Sequence, residues 1–184
     1  MSNLLKKILL FIFLPLFILT FIWFGYLRIY GNFHKVDKNV YRSAQLYFYN
    51  MPYFLNKYHI KSILNLRDID KNSFWYKYEI KFSKNNNIKH INFPISANKR
   101  LSINKMKKLL NIIQNSPKPI LIHCFSGADR TSLAVALYLY NQKSKKPEKA
   151  FSILYGHFPW LGSKTKAMDD SFKFYIRSKN ARDN

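Results

Sequence analysis

The chain is poor in cysteine, glycine and acidic residues. Its single cysteine, Cys124, excludes an intramolecular disulfide framework and any metal site built from several cysteines. Five glycines and seven prolines among 184 residues exclude collagen-like and low-complexity sequence. Aromatic residues make up 17% of the chain, which is enough to build a core and argues against wholesale disorder. The length suits one domain of ordinary size.

The first thirty residues contain a long uncharged run at positions 8–27. As a helix rising about 1.5 Å per residue, this run would span the roughly 30 Å core of a bilayer. Lys6 and Lys7 precede the run and Arg28 follows it. A cleaved signal peptide is the alternative, but the run is longer than the usual apolar segment of about 7–15 residues, and no small-residue cleavage motif follows it.

We therefore predict a single-pass transmembrane anchor over residues 1–30 and a separate domain over residues 31–184. Two lysines on a short N-terminus favour a cytoplasmic N-terminus, and we expect the domain outside the cytoplasm on that ground. Basic residues just after the run favour the opposite orientation. They are Arg28, Lys35, Lys38 and Arg42.

Lysine and arginine outnumber the acidic residues by 31 to 9, so the net charge is +22. A strongly basic surface is compatible with nucleic acid, with anionic lipid headgroups or with simple solvation. Because the domain is joined to an anchor, we expect it to lie close to anionic headgroups. We do not expect nucleic acid as a partner.

Strands alternate with helices through the rest of the chain. The strands are predicted near residues 39–43, 62–66, 88–93 and 119–123. The helices are predicted near residues 47–58, 72–86, 102–113, 130–142, 147–155 and 165–178, with Trp75, Tyr78 and Phe82 on one stripe of the second. This alternation predicts an α/β domain with a mostly parallel central sheet flanked by helices.

The segment from His123 to Thr131 has the sequence HCFSGADRT and lies between a buried strand and a buried helix. A loop of this kind can point successive backbone N–H groups into one concavity, which binds an anion together with the helix N-terminus. Gly127 permits a crowded backbone in mid-loop, and the positive potential favours a thiolate at Cys124. Arg130 can bind two oxygens of a tetrahedral oxyanion with its planar guanidinium. The ligand that suits this arrangement is a phosphoryl group.

The pattern of His-Cys, five residues, then Arg-Thr resembles the signature loop of the cysteine-dependent protein tyrosine phosphatase superfamily. The short domain resembles the compact dual-specificity branch, over roughly residues 35–178. Residues 40–45, 63–67 and 155–162 are also similar to bacterial members of that branch. The resemblance implies a compact phosphatase domain of that type after the anchor.

The resemblance also implies a two-step mechanism without metal or cofactor. The Cys124 thiolate attacks phosphorus and forms a phosphocysteine, Arg130 holds the equatorial oxygens, and water then hydrolyses the intermediate. Thr131 is expected to donate its hydroxyl to the thiolate, and His123 to orient the loop. The backbone amides of the loop are expected to bind phosphate at Phe125, Ser126, Gly127 and Ala128.

The sequence departs from the family where a general acid is expected. The loop at residues 94–100, after the third predicted strand, contains no carboxylate. Asp129 is the best candidate, with a purely structural role as the alternative, and Asp68 and Asp70 follow it. Arg67 ends a predicted strand and either lines the pocket or forms an ion pair with one of those two aspartates.

These observations predict a membrane-anchored phosphatase that acts on phosphotyrosine, phosphoserine or phosphothreonine, or on lipid phosphate. Its partners would be a phosphorylated protein or an anionic phospholipid. A lipid-phosphate-specific phosphatase is one alternative. A catalytically silent phosphate-binding module at the membrane is another, and only the missing carboxylate supports it. A sulfurtransferase is disfavoured by the arginine and threonine that end the motif.

Overall fold

The computed structural model describes residues 7–144, 146–160 and 164–183. Lys6, Leu161 and Gly162, which the sequence interpretation used, lie outside the described residues. The predicted apolar helix is present as a π-helical stretch, Leu9–Phe13, followed by helix α1, Leu14–Ile29. Residues 10–29 are long and apolar enough to cross a membrane, and Leu27 is the buried residue of helix α1.

The described residues of the domain form a five-stranded sheet in the order β1-β2-β5-β3-β4. Strand β1 pairs antiparallel with β2, and the other neighbours are parallel. The strands are β1 His34–Lys35, β2 Val40–Ser43, β3 Ser62–Asn65, β4 Lys89–Asn92 and β5 Ile120–His123. Ile122 in the central strand lies opposite Arg42 on one side and Leu64 on the other. The predicted α/β class and mostly parallel sheet are confirmed.

Helices pack on both faces of this sheet. They are α2 Met51–Lys57, α3 Phe74–Asn85, α4 Ile103–Asn115, α5 Arg130–Asn141 and α6 Ala167–Asp183. The start of α4 is fixed by the Ser102 hydroxyl, which accepts a hydrogen bond from the Lys105 amide at 3.3 Å. Short 3₁₀ turns occupy Pro147–Ala150, Ile153–Tyr155 and Lys164–Lys166.

Two apolar clusters, one on each face, hold the sheet and helices together. On one face α4, α5 and α6 contribute Met106, Leu109, Ile113, Leu133, Leu137, Met168 and Phe172. On the other face α2 contributes Met51, Phe54 and Leu55, and α3 contributes the half-buried Tyr78 and Phe82. Apolar strand residues between these layers explain why the central strands are buried on both sides.

Two sequence predictions differ from the structure. Strand β1 was missed, because two residues at a sheet edge carry no periodic pattern. The helix predicted at residues 147–155 is two short 3₁₀ turns. In α3 the buried face is formed by Tyr76, Glu79 and Ser83, whereas the aromatic stripe identified in the sequence is only half-buried.

Candidate active site

The HCFSGADRT segment forms a loop between the central strand β5 and helix α5. It therefore lies at the carboxyl edge of the parallel strands, the edge at which open α/β sheets bind ligands. Cys124 is the first residue after β5 and is 1% exposed. Arg130 is the first residue of α5. The structure thus brings the cysteine, the loop and the helix N-terminus together, as the sequence predicted.

Four successive carbonyl groups of the loop accept hydrogen bonds from outside the loop. The donors and acceptors are Gln45 N to Phe125 O at 3.1 Å, Asn32 Nδ2 to Ser126 O at 3.0 Å, Arg42 Nη2 to Gly127 O at 2.7 Å, and Ser132 Oγ to Ala128 O. In a trans peptide the N–H points opposite to the C=O. The amides of residues 126, 127 and 129 are therefore left to face the concave side of the loop, where an anion would bind, while the Ala128 amide donates to Ser126 Oγ at 3.3 Å.

Arg42 is the main support of this loop and was not identified from the sequence. It is 1% exposed, donates to Ala150 O at 2.8 Å as well as to the loop, and lies 3.8 Å from the ring centroid of Tyr155. Burial lowers the pKa of Arg42 to about 10, so it remains charged at neutral pH. An arginine inside a short predicted strand was the available signal, because arginine is rarely buried without partners.

Gly127 is the position where the loop approaches strand β2 most closely. Its φ is +74°, in the left-handed region that favours glycine. A Cβ atom there would lie 2.6 Å from the Ala44 nitrogen and 2.8 Å from the Ser43 oxygen. Both are backbone atoms, so the clash can be relieved only by moving the strand or the loop.

We expect Gly127→Ala to displace the loop and to lower turnover about 100-fold, the cost of a misplacement of about 1 Å. Gly156→Ala is the matched control, because Gly156 has a similar φ of +79° but nothing within 4 Å of its Cβ position. That control should lose only about 1–2 kcal/mol of stability to its backbone conformation. Turnover and thermal unfolding of both variants test this, and equal losses of turnover would contradict the close-approach argument.

Two arginines give the mouth of the loop a positive potential. Arg130 Nη1 makes two long contacts, 3.4 Å to Leu66 O and 3.5 Å to Ile95 O, both beyond the usual distance of about 2.9–3.0 Å. Arg67 lies 3.8 Å over the Trp75 ring and lacks an ion pair with either Asp68 or Asp70 within the described ranges. Burial and the charge of Arg130 both lower the pKa of Arg67, and the Arg67 guanidinium lies 5.0 Å from the ring centroid of Phe125 in the loop.

Asp129, the residue before Arg130, is held by a buried histidine. Its Oδ1 lies 2.7 Å from His157 Nδ1, and His157 Nε2 lies 3.0 Å from Asp169 Oδ2 on the other side. Burial lowers the pKa of His157, but the hydrogen bonds and charges of the two aspartates outweigh it and raise the pKa above its ordinary value. The sequence had placed Asp129 in the site but had not identified His157 and Asp169 as its support.

His123 belongs to a second buried network beneath the loop. Its Nε2 lies 3.3 Å from Glu79 Oε1, and the same carboxyl group contacts His90 at 2.7 Å and accepts from Gln45 Nε2 at 2.7 Å. Burial raises the pKa of Glu79, but the two histidines outweigh it and hold the pKa well below its usual range. Gln45 in turn accepts from Arg67 Nη1 at 3.1 Å, so the network reaches the mouth of the loop.

The remaining predicted residues lie at the same loop. The Thr131 hydroxyl, expected to donate to the thiolate, is buried and lacks a hydrogen-bond partner within the described ranges. Phe125 is 43% exposed at the rim of the loop. No group of three or more side chains suited to a metal ion occurs in the part of the chain that the structure describes.

No curated protein matches the chain. Among solved structures, the Siw14 catalytic core is 26% identical, with a TM-score of 0.59, over 82% of this chain and 92% of that one. SIW14 from S. cerevisiae, described as a PP-IP phosphatase, is 24% identical with a TM-score of 0.61, over 82% of this chain and 93% of that one.

Two other similar structures agree in fold. TpbA from P. aeruginosa is 18% identical with a TM-score of 0.56, over 80% of this chain and 84% of that one. PTPMT1 in complex with PI(5)P is 12% identical with a TM-score of 0.54, over 80% of this chain and 98% of that one.

The model of the tyrosine phosphatase family matches residues 29–139. This match covers more than half of the chain and includes β1 to β5, the loop with Cys124 and Arg130, and almost all of α5. The chain belongs to the tyrosine phosphatase family, within the cysteine-dependent phosphatase superfamily.

Proposed function

We propose that the domain hydrolyses phosphomonoesters through a phosphocysteine intermediate at Cys124. The observation that carries this proposal is the set of four loop carbonyls held outward by donors from other elements. Three of the peptide N–H groups opposite them, at residues 126, 127 and 129, are left to converge on one concavity beside Cys124, with Arg130 at its rim. Preorganised donors of this kind stabilise the charge that develops on a phosphoryl group in the transition state.

In the first step the Cys124 sulfur forms a bond to phosphorus as the bond from phosphorus to the ester oxygen breaks. The loop amides and Arg130 hold the three equatorial oxygens, and Arg130 gives up only long carbonyl contacts to do so. In the second step a water oxygen bonds to phosphorus, the sulfur–phosphorus bond breaks, and the thiolate is restored. The buried Thr131 hydroxyl is available to donate to that thiolate.

Asp129 is our candidate for the group that protonates the leaving oxygen in the first step and accepts a proton from water in the second. It lies in the loop itself and keeps one-fifth of its side chain exposed while His157 holds one of its oxygens. The loop at residues 94–100 has no carboxylate to compete for this role. Asp70 is engaged elsewhere, because its Oδ1 accepts from the amides of Asn72 and Ser73.

The ligands of similar structures support our choice of substrate class. Similar structures contain phosphotyrosine in TpbA and PI(5)P in PTPMT1, and SIW14 is described as acting on PP-IP. We propose a phosphorylated protein side chain or a lipid phosphate as the substrate. We further propose that α1 anchors the domain to a membrane, with the domain outside the cytoplasm.

Turnover of p-nitrophenyl phosphate by membranes that contain the full chain tests this function. We expect hydrolysis in the presence of EDTA, and we expect the activity to stay in the pellet after washing with high salt and carbonate. Membranes with Cys124→Ser are the background control. Phosphate binding without turnover would favour the silent phosphate-binding module instead, and release of active protein by salt alone would contradict the anchor.

We expect Asp129→Asn to reduce hydrolysis of an alkyl phosphomonoester by about 10²–10⁴-fold, the usual contribution of general acid catalysis. The hydrolysis rate of p-nitrophenyl phosphate should fall far less, because its leaving group departs readily without a proton. The basic limb of the pH–rate profile for the alkyl substrate should also flatten, since the group that must stay protonated is gone.

The pair of substrates distinguishes the acid role of Asp129 from a structural one. Asp68→Asn is the control, because Asp68 is an exposed carboxylate on the loop after β3. Equal losses on both substrates with an unchanged basic limb would contradict the acid role of Asp129. The same measurements on Asp68→Asn and Asp70→Asn would then locate the acid.

A further inference from the structure

The end of the apolar helix packs directly against the phosphate-binding loop. The guanidinium of Arg28, in the last turn of α1, lies 4.9 Å from the ring centroid of Phe125 in the loop. Leu27 is buried between the helix and the domain. Beside this contact is a cavity of about 150 Å³, which Phe24 of the helix and Ser126 of the loop both line. The loop therefore lies at the level where α1 leaves its apolar span.

A second contact reaches further along the helix. The rings of Phe24 and Phe158 are 6.3 Å apart, and Phe158 contacts Trp160 at 5.7 Å. Phe24 precedes Arg28 by four residues, which places it about 6 Å deeper along the helix axis. The segment at residues 153–160 thus extends past the loop, alongside the part of α1 that is apolar enough to cross a membrane.

Exposed aromatic and aliphatic side chains surround this end of the helix. In the 153–160 segment Ile153 is 50%, Leu154 58% and Trp160 63% exposed. On another side, Phe48 and Tyr49 are 57% and 53% exposed. The residue after them, Asn50, donates from Nδ2 to Ile29 O at 3.0 Å, so this aromatic pair also lies near the helix end. Aromatic rings in this arrangement are typical of a membrane–water interface.

We propose that residues 153–160 lie in the headgroup layer beside the anchor, and that the loop takes an anionic lipid phosphomonoester from the same bilayer. This inference rests on the proposed phosphatase function and selects one substrate class within it. Contact with lipid removes the exposed apolar side chains from water. The net charge of +22 on the whole chain also favours association with anionic lipids.

The position of the phosphate-binding loop next to the apolar helix favours a lipid over a phosphoprotein as the substrate. Phe125, at the rim of the loop, lies within 4.9 Å of a helix residue at the edge of the apolar span. A lipid phosphate already lies at that depth, so its effective concentration at the loop is high. A phosphorylated side chain of another protein would have to enter the narrow space between the membrane surface and the exposed aromatic rings to reach the loop.

The test uses the full chain reconstituted in phosphatidylcholine vesicles that contain a minority of phosphatidic acid. Soluble glycerol 3-phosphate offers the same ester without acyl chains, and a soluble phosphopeptide offers the protein alternative. We expect kcat/KM for phosphatidic acid to exceed that for either soluble substrate by at least about tenfold, the effect of an effective concentration. Vesicles from which the chain is omitted are the background.

Leu154→Ser and Ile80→Ser form a matched pair of exposed aliphatic substitutions. Ile80 is on α3, which packs beside the edge strand β4 at the far side of the sheet from β1. Leu154→Ser should lose about tenfold or more on phosphatidic acid, as expected when an apolar anchor leaves the interface, and keep its activity on p-nitrophenyl phosphate. Ile80→Ser should keep both activities.

Fluorescence gives a readout that does not depend on turnover. The fraction of tryptophan fluorescence quenched by bromine-labelled lipid should be smaller in Trp160→Phe than in the unaltered chain, because Trp160 lies in the headgroup layer and its emission is quenched there.

If p-nitrophenyl phosphate is not hydrolysed, the proposed function fails. If it is hydrolysed but phosphatidic acid is no better than the soluble esters, or Leu154→Ser behaves as Ile80→Ser does, this inference is overturned and the function stands.

Discussion

Cys124→Ser should abolish turnover and leave phosphate binding intact. An alcohol stays protonated where a thiolate forms, so the serine oxygen is a poor nucleophile at neutral pH. The substitution removes no loop amide and leaves Arg42 holding Gly127 O, so the anion site should persist. The measurement is kcat on p-nitrophenyl phosphate together with the thermal shift that inorganic phosphate produces.

The phosphate-dependent thermal shift is the internal control for folding of this variant. A shift equal to that of the unaltered chain, with turnover at background, supports a nucleophilic Cys124. Residual activity above a few per cent would show that the hydrolysis does not pass through this sulfur. Loss of both turnover and phosphate binding would show that Cys124 is required for the structure of the loop.

Arg130→Lys should lower kcat by about 10²–10³-fold, the usual cost of removing one preorganised donor from a transition-state site. Lysine keeps the charge but cannot bind two equatorial oxygens with one planar group. Because Arg130 makes only long carbonyl contacts in the structure, its loss should cost little stability. We therefore expect a large loss of kcat in this variant and only a small change in its unfolding temperature.

Arg67→Lys is the matched control for that prediction. Arg67 carries the same charge near the same loop, but its guanidinium is engaged by Gln45 and by the Trp75 ring. We expect its replacement to weaken binding and to leave kcat within about tenfold, since it removes uniform binding rather than a transition-state contact. Similar losses of kcat in the two variants would contradict the specific role of Arg130.

The chemistry-bearing loop could be predicted because its residues are contiguous. Strand, loop and helix follow each other within residues 120–141, so the apolar patterns on both sides place Cys124 and Arg130 without tertiary information. The parallel sheet followed in the same way from strands that alternate with helices. Strand β1 was missed, since two residues carry no periodicity, and the two 3₁₀ turns within residues 147–155 were predicted as one helix.

The supports of the loop could not be predicted, because they come from distant parts of the chain. Asn32 contacts Ser126 across 94 positions, and Arg42 contacts Gly127 across 85. Glu79 lies on a helix that precedes the loop by about forty residues, and only the fold brings it within 3.3 Å of His123. Burial of a charged group depends on its partners, and a single sequence does not pair them.

Asp129 shows most clearly that contacts between distant residues could not be predicted from the sequence. Its position in the loop was visible in the sequence, but the hydrogen bond to His157 and the further contact with Asp169 join residues 28 and 12 positions apart. The segment that carries His157 also passes beside the apolar helix, through the contact between Phe158 and Phe24. The segment at residues 153–160 therefore contacts both the candidate acid, through His157, and the apolar helix, through Phe158.

Trapping the covalent intermediate tests the central claim most directly. The full chain is mixed with a phosphomonoester, quenched in acid during turnover, digested, and analysed by mass spectrometry. The account predicts one phosphoryl group on the sulfur of Cys124, more of it in Asp129→Asn if water attack also needs that carboxylate, and none in Cys124→Ser. Steady turnover without phosphate on Cys124, or phosphate on another residue, would contradict the account.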